Sequence, residues 1–183
     1  MPLPTWLYVI GWLTFLYLYV LLLSFSATAP NNIVASGMYF VNFGVHEASH
    51  MAVGFLPQIW VAMAGSAGEL GFTLLLLYAT RKGKAYFASV FAGLWIMLAL
   101  RSAGIYMSDA RSQVLNLIGP GEVAIHDWNY VFGQLNLLNY DTIIGGTFSA
   151  IGNVVGFLAL CYGAYLIYSK HNKPSKNSDS FVR

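Results

Sequence analysis

The sequence predicts an all-α, polytopic membrane protein with about five transmembrane helices and one external loop carrying a short amphipathic helix. Three observations lead there. Of 183 residues, 57% are hydrophobic and only 9% charged, whereas a soluble domain is about a quarter charged. The mean hydropathy is +0.61. The apolar residues also fall into runs near the roughly 20 residues that cross a bilayer. Nine basic and seven acidic side chains cannot clothe a water-facing globule of this length. A net charge of +2 excludes the strongly basic face of a nucleic-acid binder. The single cysteine, Cys161, excludes a disulfide framework and a Cys-ligated zinc ribbon.

The spans follow in order. The first covers about Thr5 to Ala27 without a charge, and it is too long, and lacks the preceding basic residues, for a signal peptide. The second lies between Pro30 and Pro57, from about Ile33 to Leu56. The third runs from about Ile59 to Thr80 and stops at Arg81-Lys82-Gly83-Lys84. The fourth follows from Ala85 to about Met107, and the fifth from about Gly146 to Tyr168, where Gly145, Gly146, Gly152 and Gly156 offer a small-residue packing face. Residues 1–168 form one membrane domain, and 169–183 form a disordered, basic, cytoplasmic tail. Basic residues favour the cytoplasm. The Arg81–Lys84 loop and the tail therefore lie inside, and the N-terminus and the 108–145 loop outside, in the plasma membrane of a prokaryote. Within that loop, Ile118-Gly119-Pro120-Gly121 reads as a turn. Ile125, Trp128, Val131, Phe132, Leu135, Leu137 and Leu138 mark an amphipathic helix lying on the membrane or over the bundle.

The second span contains His46-Glu47-Ala48-Ser49-His50. Residues four apart share a helix face, so both imidazoles can bind one zinc ion, and Glu47 can serve as general base on the attacking water. With 4 His in the chain and Glu equally scarce, chance produces this pattern on the order of once in a thousand such sequences. A carboxylate at the centre of a lipid-embedded helix also costs roughly 2.5–3.5 kcal/mol, so its placement there needs a reason. The bland alternative is a polar helix face bonded to neighbouring helices without metal.

A zinc site needs a third protein ligand. The candidates are Glu69, Asp109, His126 and Asp127. Glu69 follows His50 after 18 residues. HExxH, 18 residues and Glu resemble the gluzincin zinc signature, and Gly68-Glu69-Leu70-Gly71-Phe72 is loosely similar to the run around the third gluzincin ligand. The resemblance covers Val45 to Phe72 and implies zinc on His46, His50 and Glu69. Depth agrees, because a hairpin turning at Pro57-Gln58 sets His46 and Glu69 both about 17 Å below the turn, and His50 about 11 Å. Placement of HExxH inside a membrane helix also resembles the site-2-protease type of intramembrane protease. In that type the third ligand is an Asp from a later helix, for which Asp109 is the comparable residue here. A Glu-x-x-His half-site of the di-iron kind is present as Glu47–His50, but no second copy accompanies it.

Arg101, inside the fourth span, is expected to pair with Asp109, Glu69 or Glu47, in a supporting role. His126 is a candidate for oxyanion stabilisation, the role that a downstream His or Tyr plays in gluzincins. Trp6, Trp12, Trp60 and Trp128 fit interfacial anchoring. The expected function is therefore a zinc-dependent membrane hydrolase, a metallopeptidase acting on a membrane or membrane-proximal polypeptide, with lipid as its surroundings. The alternative is a non-enzymatic membrane subunit, or a metal-binding membrane protein whose polar cluster is structural.

Overall fold

A computed structural model describes residues 4–25, 33–115 and 126–172. These form α1 (Thr5–Leu23), α2 (Ile33–Ala52), α3 (Gln58–Lys82), α4 (Ala88–Ser108), α5 (Asp127–Gln134), a short 3-10 turn (Leu138–Tyr140) and α6 (Asp141–His171). The described residues contain helices and no strands. The proposed turn at Ile118–Gly121 and the tail beyond Asn172 lie outside the described residues.

Four helices are long and apolar enough to cross a membrane: α1, α3, α4, and α6 with its preceding 3-10 turn. α2 is not among them, because Asn42, His46, Glu47, Ser49 and His50 interrupt its apolar run. α4 is the central element and packs against α1, α2, α3, α5 and α6, most extensively along α6. Glycines make that approach possible. A Cβ added at Gly104 would meet the carbonyl oxygen of Gly145 at 2.5 Å, and one at Gly152 would meet that of Met97 at 2.9 Å. One apolar core joins Leu18, Leu22, Met38, Leu94, Met97, Leu98 and Leu160. A second, at the other end of α4, joins Ala62, Ala103, Met107, Trp128, Val131 and Phe132.

Side-chain contacts fix the helix directions. Tyr8 stacks edge-on against Phe87 at 5.1 Å, and Lys170 Nζ lies 3.8 Å over the Tyr8 ring. At the other end of α1, Arg101 donates to the Leu23 carbonyl (2.9 Å). α1 thus runs parallel to α4 and antiparallel to α6. The beginning of α1, the α3–α4 turn with Arg81–Lys84, and the end of α6 share one face of the bundle. This corrects the expectation that the N-terminus lies opposite the Arg81–Lys84 loop. Along α2, Asn42 meets Trp95 and His46 meets Tyr106, so α2 also runs parallel to α4. Consecutive helices α1 and α2 therefore point the same way, which strict alternation of five spans does not allow.

Arg101 is also placed differently from expectation. Its guanidinium donates to Asn153 Oδ1 (2.8 Å) and to the Leu23 carbonyl, not to an acid. Its azimuth on α4 faces α6 and the C-terminal end of α1. There it satisfies a carbonyl that a helix end leaves open. Trp128 is buried in the second core rather than set at an interface.

Candidate metal centre

The site lies at the end of the bundle opposite the basic face. His50 stands two residues before the end of α2, and Tyr106 two before the end of α4. The histidines are therefore about one turn or two from the helix ends, shallower than a hairpin closing at Pro57 implies. α2 stops at Ala52, and residues 53–57 form the turn.

Two glycines of α3 seat the α2 side chains. A Cβ at Gly65 would come within 2.5 Å of Cδ2 and Cε1 of His46, and one at Gly68 would overlap Ser49 Oγ. The His46 ring thus rests on bare backbone. Its Nδ1 lies 2.8 Å from Glu69 Oε1 and its Nε2 lies 3.1 Å from Asp127 Oδ2. His50 Nδ1 lies 2.7 Å from the Val61 carbonyl, and its Nε2 lies 3.3 Å from the same Asp127 oxygen.

Asp127 reaches this point because α5 folds back over the bundle. Trp128, Val131 and Phe132 form the apolar face of α5 and are buried, and Trp128 Nε1 donates to Ser66 Oγ on α3 (3.1 Å). Asn129 Nδ2 donates to the Ala110 carbonyl (2.7 Å). The expected short amphipathic helix is present and lies over the bundle. Tyr106 then clamps Asp127: its hydroxyl accepts from the Asp127 amide (3.1 Å) and donates to Oδ2 (3.3 Å). Burial by itself would raise the Asp127 pKa, but hydrogen bonds from His46 and His50 outweigh it and hold the carboxyl below its usual value.

A carbonyl oxygen only accepts, so His50 Nδ1 donates to Val61. Glu69 accepts from His46 Nδ1 in the same way. In each neutral ring the proton is then on Nδ1 and Nε2 is bare. Two bare nitrogens and a carboxylate oxygen face one another, which repels unless a cation joins them or both rings are protonated. Among the described residues, His46, His50 and Asp127 are the group whose ligand atoms converge in this way. Tetrahedral zinc with bonds of about 2.0–2.1 Å spaces its ligands about 3.3 Å apart. Asp127 Oδ2 lies 3.1 and 3.3 Å from the two imidazoles, and the three ligand atoms all lie within 4.8 Å of one another. Each ring is oriented through its other nitrogen, as metal-binding histidines ordinarily are.

The other predicted residues separate from this point. Glu69 is buried and reaches His46, but at Nδ1, the edge turned away from Asp127. It orients the ring rather than joining the converging set. Asp109 accepts from Ser112 Oγ and from the Val114 and Leu115 amides, closing the turn after α4. Burial opposes ionisation of Asp109, yet those bonds and nearby His126 hold its pKa below the usual carboxylate value. His126 caps α5, its Nδ1 accepting from the Asn129 amide (3.2 Å), and its Nε2 faces Asp109 at 3.5 Å. Burial lowers the His126 pKa against the pull of Asp109. His126 thus faces Asp109 and the start of α5, and its buried Nε2 has no hydrogen-bond partner among the described residues. Glu47 is half-buried and, among the described residues, makes no hydrogen bond or ion pair. Tyr106 was not singled out from the sequence, since a tyrosine near a span end carries no distinguishing signal.

Comparisons with protein-family models, with curated proteins and with solved structures found no match.

Proposed function

We propose that this chain is an integral membrane zinc hydrolase of the metallopeptidase type, with His46, His50 and Asp127 as ligands. The observation that carries the reading is the convergence of Asp127 Oδ2 with the Nε2 atoms of His46 and His50, each ring being held from behind through its Nδ1. The donor set, an HExxH pair with an Asp from a later helix, is the one the site-2-protease resemblance implies, with Asp127 in place of Asp109. Zinc held there would supply Lewis acidity to a scissile carbonyl and to water.

The chain's own residues have separate tasks. Glu69 holds the His46 ring in place through Nδ1. Tyr106 and the α5 cap hold Asp127. Glu47, next to His46 and free of other bonds among the described residues, takes a proton from the attacking water and returns it to the leaving amine. The end of the bundle that carries the site opposes the basic face. By the distribution of Arg81, Lys82, Lys84 and Lys170, that basic face, with the start of α1 and the end of α6, is cytoplasmic, and the site opens outward. Four spans then alternate, with α2 as an additional helix that delivers the HExxH pair to the outer half of the bundle.

The test is zinc content and turnover of purified protein. About one zinc per chain is expected, lost in His50→Ala and Asp127→Ala. Glu47→Gln keeps the zinc and loses cleavage of peptides bearing one apolar span. Zinc without Glu47-dependent turnover would assign the centre to a non-enzymatic binding role, and a wild-type chain without zinc would end the metal reading.

A further inference from the structure

At the opposite end of the bundle, α3, α4 and α6 flank an open groove of about 250 Å³. Its walls include Leu77, Ile96, Val155 and Leu158, and its rim carries Arg81 and Tyr162. Along α4 the lining extends from Ser89 to Ile96, a length of about 10 Å parallel to the helix axis. Gly93 lets α6 approach α4 beside it, since a Cβ there would meet that of Ala159 at 2.6 Å. The groove is thus apolar and elongated along the bundle axis, with its one cation at the end that carries the Arg81–Lys84 cluster.

Arg81 is held but not neutralised. Its guanidinium stacks 4.7 Å from the Tyr162 ring centre and 5.7 Å from that of Tyr86. Among the described residues it makes no ion pair. Aromatic faces fix the plane and leave the edge N–H groups available to a bidentate anion. Lys82 and Lys84 flank it in sequence. An apolar groove parallel to the helices, ending in an unneutralised guanidinium beside further lysines, has the charge and shape of an anionic phospholipid.

We propose that this groove binds one anionic phospholipid, an acyl chain lying along α4 and α6 and the phosphate seated on Arg81. The groove is separate from the His46–His50–Asp127 centre, and the proposal does not depend on that centre binding metal. The lipid would act as a wedge filling a gap that α3 and α6 leave open.

The experiment is thermal unfolding of the full chain in dodecyl maltoside, titrated with dioleoylphosphatidylglycerol, with dioleoylphosphatidylcholine, and with inorganic phosphate. The glycerol lipid should raise the midpoint saturably and more than the choline lipid, and phosphate should leave it unmoved. Arg81→Gln should weaken the apparent affinity about fivefold, the worth of one basic side chain beside an anionic headgroup. Val155→Trp, which fills the groove, should abolish the saturable shift while its own midpoint in detergent reports folding. Equal shifts from the two lipids, an equal shift from phosphate, or an Arg81→Gln response identical to wild type would overturn the proposal.

Discussion

Gly65→Ala tests the metal centre through a residue that carries no ligand atom. The added Cβ would lie 2.5 Å from Cδ2 and Cε1 of His46, whereas carbon atoms pack at about 3.5–4.0 Å. The ring or the helix must therefore give way by about 1 Å or more. Metal bonds tolerate about 0.2 Å, so Nε2 cannot keep its place opposite Asp127 Oδ2. Overpacking of this kind costs about 1–3 kcal/mol in stability. The expected loss in zinc affinity is at least the 10–100-fold seen when a ligand's orienting contacts are disturbed. Competition with a chromophoric chelator measures it. Gly71→Ala is the internal control, since a Cβ there meets nothing within 4 Å and the change favours the helix by up to about 1 kcal/mol. If Gly65→Ala binds zinc as wild type does while remaining folded, the His46 ring is not where the metal binds.

Other outcomes follow from the same geometry. Asp127→Ala should lose zinc, whereas Glu69→Gln should keep it with affinity reduced about 10–100-fold, because it changes only the acceptor behind His46; the reverse ranking in metal analysis would restore Glu69 as the ligand. Tyr106→Phe removes both arms of the clamp on Asp127 and should cost about 1–3 kcal/mol in combined stability and metal affinity, read by chelator competition and thermal unfolding. Cysteines placed at Thr5 and at Lys84 should be labelled from the same side of the membrane by an impermeant maleimide, and labelling from opposite sides would contradict the parallel course of α1 and α4.

The all-helical class and the HExxH face were legible because both rest on local periodicity. Apolar runs announce long helices, and a spacing of four puts His46 and His50 on one side whatever surrounds them. The depth argument also brought Glu69 level with His46, and the two do touch. What depth cannot supply is azimuth: it does not say which ring nitrogen a neighbour meets. That depends on how α3 is rotated, and Gly65 and Gly68 set it through contacts invisible in spacing. Asp127 stood among the candidate ligands, but its selection over Asp109 and His126 depends on α5 folding back onto Ser66 and Ala110. Long-range contacts of that kind leave no periodic trace. The N-terminal side was misjudged because counting spans gave α2 full crossing status, while its polar residues make it shorter in effective apolar length than its neighbours.

The Tyr106 clamp and the α5 cap have a consequence for how the protein closes. Asp127 and His46 are 81 residues apart in sequence, so an ion held between them would act as a removable cross-link between α2 and a lid lying over the bundle. Withdrawing it would return two bare nitrogens and a carboxylate to mutual repulsion, at the one place where the lid touches the histidines. Metal loading and lid closure are then a single equilibrium. Chelation should raise amide exchange in residues 127–134 before it disturbs α4, and the same movement would open the way to the centre from outside the bundle.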